Sequence, residues 1–367
     1  MILRADKLRA FALIAVTLSA FLILAACSKG RHAFPKSSPE PGLSRIAAGQ
    51  EPVKLERDMM GTKVGIQVSG VPREQALPAI NRAFEKIAEL ESWAHPKHKD
   101  SDVWNITESA GKKPVAVHPG IMEILQTARQ VSEASGGAFD ITFAAAGRLW
   151  DLKHPDAVPP DPQLLAQAVR KVDYRKLKLD EQHGTAFLTE EGMEIGLGAI
   201  AKGWAADRAA DSLKAEGFRS GIVDAGGDMV VWGGKGQKPW TVEINHPRKP
   251  HGSLYATMRP ERPMAIVTSG DYERYVIKND IRYHHILDPK TGDSARLCQS
   301  VTVVGPNGML ADALATAVFV MGPEKGLAML AQLYPGYAAL VIDSKGAESV
   351  SSDFVSMTNL VRNTMER

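Results

Sequence analysis

Asp312 and Thr316 stand four residues apart in a run, Ala311 to Met321, that is otherwise apolar on nearly every side. That spacing places Asp312, Ala315 and Thr316 on one helix face. A carboxylate on such a helix is buried, which is costly unless the charge is paired or holds a cation. Carboxylate plus hydroxyl is an all-oxygen pair, suited to a hard ion such as magnesium that also shares phosphate oxygens. The alternative is a helix cap, a common station for aspartate. Lys202 follows Gly196 and Gly198 and precedes Gly203 at the start of a second helical run. Glycines there let backbone approach an anion, and the lysine supplies charge for a phosphate. A solvated lysine at a helix start is the plainer reading, and the spacing is not that of a Walker A loop. Between these two helices lie the turn Thr268-Ser269-Gly270 and the pair His284-His285. Adjacent strand residues point to opposite faces, so only one histidine can face a given site. His285 is preferred for its closeness to Asp288-Pro289, and an imidazole of unperturbed pKa suits a general base. Taken together the stretch 268–316 reads as a metal and phosphate site.

The elements that must position these groups alternate between strands and helices. Lys54 to Met60 and Thr62 to Ser69 form a hairpin about Met60-Gly61-Thr62. Arg73 to Trp93 is an amphipathic helix with Leu77, Ile80, Phe84, Ile87 and Leu90 on one face. Ser101 to Asn105 reads as a loop, and Gly120 to Ser135 as a second helix. Gly136-Gly137-Ala138-Phe139-Asp140 is a glycine turn that sets an acid beside an aromatic, with Asp140 either a turn residue or a cap. Residues 151–180 form a Pro-rich surface excursion with a helix near Gln163 to Lys171 and no expected chemistry. The helix after Lys202 is placed at Trp204 to Glu216. Ser220 to Val231 is strand, Gly226-Gly227-Asp228 turn, strand; Asp228 and, further on, His246 read as a turn residue and a surface histidine. Periodicity alone supports a mixed α and β body.

The chain opens on Arg4, Lys7 and Arg9, an apolar run from Ala10 to Ala26, and Leu24-Ala25-Ala26-Cys27-Ser28. This resembles a bacterial lipoprotein signal, which implies a signal peptide 1–26, cleavage before Cys27 and acylation of that cysteine. An uncleaved anchor is the alternative, since the run is near the lower limit for a span. Either way the folded body is expected outside the cytoplasm, on the periplasmic side and tethered to a membrane; Ser28 fits outer-membrane sorting. Residues 27–52 are a flexible linker rich in Pro, Ser, Gly and Lys, and 53–367 is the catalytic body. Cys298 is the only other cysteine, so lipidation of Cys27 leaves no internal disulfide. A net charge of +2 without a basic run argues against a nucleic-acid partner.

The motifs Met60-Gly61-Thr62, Gly137-Ala138-Phe139-Asp140, Leu197 to Gly203, Gly226-Gly227-Asp228, Thr268 to Tyr272, His285 to Gly292 and Ala311 to Ala317 occur in one order. In that order they resemble the FAD:protein FMN transferases of the ApbE family, from about Met60 onward. The resemblance implies an α+β fold with a duplicated antiparallel sheet and packed helices. It implies Mg2+ held by the Ala199 carbonyl, Asp312 and Thr316. FAD, the substrate, would lie against Met60, Ala138, Phe139, Asp140, Lys202, Thr268, Ser269 and Gly270. Lys202 would neutralise pyrophosphate charge, and His285 would take the proton of a client Ser or Thr hydroxyl as FMN is transferred and AMP leaves. Clients would be exported or membrane redox subunits, of quinone-reductase or Rnf-type electron-transfer complexes. Two other activities stay open: hydrolysis of FAD to FMN and AMP with water as acceptor, and a non-catalytic flavin-binding lipoprotein. The family usually carries Asp where this chain has Gly196, and Glu194, two residues earlier, is the candidate to replace it.

Overall fold

The computed structural model describes residues 51–363, apart from 153, 155–157 and 251. The signal segment 1–26, Cys27, Ser28 and the linker up to residue 50 lie outside the described residues. Among the described residues no helix is long and apolar enough to cross a membrane.

Eight strands form one antiparallel sheet: β1 (Val53–Met59), β2 (Thr62–Val68), β3 (Gly221–Ala225), β4 (Asp228–Trp232), β5 (Met264–Gly270), β6 (Cys298–Gly305), β7 (Ala338–Asp343) and β8 (Glu348–Val350). They lie side by side in chain order, every neighbouring pair antiparallel. Three helices matter for the site: α1 (Arg73–Ala94), α2 (Ala201–Ala215) and α3 (Gly308–Met321). The first two join β2 to β3, and α3 joins β6 to β7. The sheet is therefore two successive four-strand units, each with its helical connection between second and third strands. The expected α+β, duplicated antiparallel architecture is the one observed.

Alternation along the strands explains the layering. Val64, Ile66 and Val68 of β2, Val230 and Trp232 of β4, and Ala265 and Val267 of β5 turn to the helical face and join the main core with α1, α2 and α3. Val231, Met264 and Ile266 turn the other way, onto a three-stranded sheet of Val242–Asn245, Leu254–Met258 and Val361–Arg362. β6 is covered on both faces, so all eight of its residues are buried and alternation vanishes there.

Three local expectations differ. Residues 102–108 are helical rather than a loop, because Ser101 caps them by accepting the Trp104 N–H at 3.1 Å. α2 starts at Ala201, three residues before the expected Trp204, which carries Lys202 into its first turn. The strand at the histidine pair, expected from the sequence over Arg282 to Leu287, runs Ile281–His284, so His285 lies just beyond it.

Candidate active site

α2 packs on β3 and β4 and α3 on β5 and β6, and the two helices pack on each other. The polar groups gather where the helix starts meet the sheet. Ile200 leaves the helical conformation at φ −154°, so Gly203 stands in the first turn of α2, where N–H groups lack intrahelical partners. Its N–H donates to Asp312 Oδ2 at 3.1 Å. A continuous helix would give that N–H to the Ala199 carbonyl, which is freed from its i+4 donor.

Asp312 is not the cap of its own helix. Asn307 takes that role, its side chain accepting the Leu310 N–H at 2.8 Å, and Asp312 sits more than a turn further in, buried. The Lys202 ammonium lies 3.5 Å from both Asp312 carboxylate oxygens and contacts Asp228. Asp228 is therefore more than a turn residue: it opens β4, is 2% exposed, and faces the cluster from the sheet. Burial alone would lower the Lys202 pKa, but the adjoining Asp228 and Asp312 outweigh it and hold the ammonium above its usual value. Asp228 is pushed well above the carboxylate range, first by burial and then by Asp312 beside it. Two buried carboxyl groups thus share one ammonium. With the Thr316 hydroxyl and the Ala199 carbonyl, they offer only oxygen donors. This donor set fits a hard divalent cation.

β5 brings two more residues. Val267 pairs with Asp228 in the ladder, which puts Ser269 next along on the same face; its hydroxyl lies 3.4 Å from that of Thr316. Thr268 alternates to the opposite face and bonds Thr302 across the sheet at 2.9 Å, so its hydroxyl points away from the cluster.

The histidines divide the work. His284 is buried, with Nε2 2.8 Å from the Ala295 carbonyl and Nδ1 accepting the Ile286 N–H at 3.3 Å. Both nitrogens are spent on the fold. His285 donates its backbone N–H to the Arg274 carbonyl at 3.2 Å, while its ring Nδ1 is shut from solvent without a hydrogen-bond partner. Its pKa is not the unperturbed one: burial first, then Arg274 and His284, with a further push from Lys202, lower it to about 3. The ring is therefore neutral at physiological pH, with one buried nitrogen unpartnered.

A cleft of about 470 Å³ opens at the tip of the β1–β2 hairpin, lined by residues 58–63 and Glu91. None of Lys202, Asp312, Thr316 or His285 lines it. The link is Thr62, against which a Cβ on Gly226 would stand 2.3 Å from the hydroxyl, and Gly226-Gly227 leads directly into Asp228. Met60 is held at φ +53°, an uncommon conformation for a bulky side chain, with its N–H on Glu91 Oε1 at 2.9 Å. Such local strain persists only where surrounding structure over-determines it.

The sequence profile of the ApbE family matches residues 60–341. The chain belongs to the ApbE family. A FAD:protein FMN transferase of Treponema pallidum is 35% identical over 303 residues, covering 77% of this chain and 82% of that one. One from Vibrio cholerae is 30% identical over 350 residues, covering 92% and 97%. Among solved structures, the ApbE protein of Thermotoga maritima superposes with TM-score 0.76 at 29% identity, covering 84% of this chain and 99% of that one. The flavin transferase ApbE of Vibrio cholerae gives 0.73 at 28%, covering 84% and 99%.

In this ApbE chain the Ala138-Phe139-Asp140 segment runs beside the approach to Lys202. Gly196 N–H donates to the Ile141 carbonyl at 2.8 Å, and Phe143 bridges Glu194. Asp140 is buried and fully engaged, accepting the Thr142 N–H at 2.8 Å, the Thr142 hydroxyl at 2.7 Å and the Tyr174 N–H at 2.8 Å. Its carboxylate fastens the loop. Glu194, the candidate replacement for the acid missing at Gly196, is paired with Arg148 at 3.0 Å. A Cβ at Gly196 would lie 3.3 Å from both Ala144 Cβ and the Phe143 ring. Sequence reasoning missed Asp228; the signal was an acid opening a buried strand opposite an otherwise unexplained lysine.

Proposed function

We propose that this chain is a magnesium-dependent FAD:protein FMN transferase, moving FMN from FAD to a Ser or Thr hydroxyl of a client protein. The carrying observation is the Lys202–Asp228–Asp312 cluster beside a histidine ring nitrogen without a partner. Relatives that share most of the chain's length bear this activity in their names.

The Asp312 carboxylate, the Thr316 hydroxyl and the Ala199 carbonyl would hold the metal. Magnesium would supply Lewis-acid neutralisation of charge on the pyrophosphate. Lys202, kept charged by its two carboxylates, stabilises negative charge that builds on the phosphate oxygens as the client oxygen adds. The client O–H bond breaks toward the His285 imidazole, the oxygen bonds to the FMN-side phosphorus, and the bond from that phosphorus to the bridging oxygen breaks. AMP leaves with the bridging oxygen, and the client carries FMN as a phosphoester. Met60 at its strained turn would offer one wall for FAD, with the buried Ala138-Phe139 segment, braced by Asp140, shaping the site from behind, and Ser269 and Gly270 would close the β5 side. Clients would be exported or membrane redox subunits of quinone-reductase or Rnf type, met on the periplasmic side by a body tethered through acylated Cys27.

The test is incubation of the protein with FAD, Mg2+ and a candidate exported flavoprotein subunit. AMP release together with flavin fluorescence on the denatured client supports transfer. AMP without a labelled client indicates hydrolysis, and tight FAD binding without AMP indicates a binding module.

A further inference from the structure

Gly-x-x-x-Asp stands at the starts of both α2, at Gly203 to Asp207, and α3, at Gly308 to Asp312, in the equivalent connection of each four-strand unit. The two copies grip each other. Asp312 of α3 accepts the Gly203 N–H of α2 at 3.1 Å, and Asp207 of α2 accepts the Gly308 and Met309 N–H groups of α3, both at 2.9 Å. Each helix start is thereby capped by an aspartate of the other. The glycines permit the approach: a Cβ on Gly203 would lie 2.1 Å from the Gly308 carbonyl oxygen, and one on Gly308 2.8 Å from that of Gly203.

We propose that Asp207 is a positioning residue for the active site, setting the start of α3 and so the place of Asp312 and Thr316. Asp207 reaches no reacting group. It acts through two N–H bonds at the first residues of α3, and Asp312 follows within about one turn. The groups facing it are Arg208 and Asp211 on its own helix and Tyr337 from the chain beyond α3, none of which replaces those bonds. The inference rests on the reading of Asp312 and Thr316 as cation ligands. It differs from a purely structural role because its effect must appear at Gly203, a group Asp207 does not cap.

The variant is Asp207→Asn in the full chain, which keeps the size but sets an amide donor against one of the N–H groups. Backbone amide exchange at Gly203 is expected to accelerate about tenfold. Mg2+ affinity, measured by calorimetry without FAD, is expected to fall about tenfold, as when a residue supporting metal ligands is lost. FAD affinity without metal is expected to stay within about twofold. A lower melting temperature with unchanged exchange at Gly203 overturns the proposal. Should the wild-type protein bind no divalent cation, the metal reading fails, and the exchange at Gly203 alone decides this inference. Should the variant not fold, the wild type carries the test through reciprocity of coupled sites. Added Mg2+ must then slow exchange of the Gly308 and Met309 amides, and unchanged exchange overturns the proposal.

Discussion

Replacing His285 by Asn removes a buried ring nitrogen that lacks a partner, and the pH dependence of that change can be worked out. The folded-state pKa of about 3 lies below the ordinary histidine value of 6.5. Between those values the unfolded chain binds the proton and the folded one does not. The contribution of His285 to stability is therefore complete above pH 6.5 and lost as pH falls toward 3. Going from pH 7 to pH 4.5, linkage gives a loss of about 2.5 kcal/mol at most, since the ring keeps some exposure. Urea unfolding of wild type and His285→Asn at both pH values should show the wild type losing this much more than the variant. Kinetics give an independent reading. The acid limb of kcat/KM, which reports the free enzyme, should lie well below pH 6.5; that of kcat should lie higher, because bound anionic FAD favours the imidazolium. Equal pH dependence of stability in the two proteins, or an acid limb of kcat/KM at 6 to 7, would refute the reasoning.

Asp312→Ala should abolish calorimetric Mg2+ binding and cut FMN transfer by at least about a hundredfold, since it removes the charged ligand and leaves Lys202 with Asp228 alone; transfer unchanged in magnesium would sink the metal assignment. Gly203→Ala, despite a better helix former, should lower stability by about 2 kcal/mol, because backbone at 2.1 Å has to move, and thermal unfolding reads this directly. Asp207 has the opposite pH sign to His285: burial raises it to about 6, so its contribution is complete below pH 4 and is lost as pH rises through 6. From pH 4 to pH 7 the stability of wild type relative to Asp207→Asn should fall by about 2.4 kcal/mol at most in denaturant titrations.

What could be read without coordinates was what depends on period and on the cost of burying charge. Asp312 and Thr316 stood out by a four-residue spacing within an apolar helix, and strand parity allowed only one of His284 and His285 to face the site, with His285 preferred for its closeness to Asp288-Pro289. The same parity also places Thr268 away from the cluster, since Ser269 beside it takes the other face. Pairings over long sequence separation were harder to see. Asp228 resembles any acid after two glycines until β4 is laid beside β5 and Lys202 reaches it from α2. Glu194 was a free candidate until Arg148 appeared next to it. The pKa of His285 could not be read at all, because it is set by burial and by cations that other elements bring.

The strands of the main sheet follow one another in chain order, and the reactive groups are divided between its two halves. Lys202 and Asp228 come from the first four-strand unit, while Ser269, His285, Asp312 and Thr316 come from the second. Chemistry is thus an AND gate on folding. A chain clipped between Trp232 and Met264, or caught with one half complete, holds a lysine without the histidine proposed as the base or a carboxylate without its lysine. It cannot consume FAD before it is whole, and two separately expressed halves would regain activity only by docking along the β4–β5 seam.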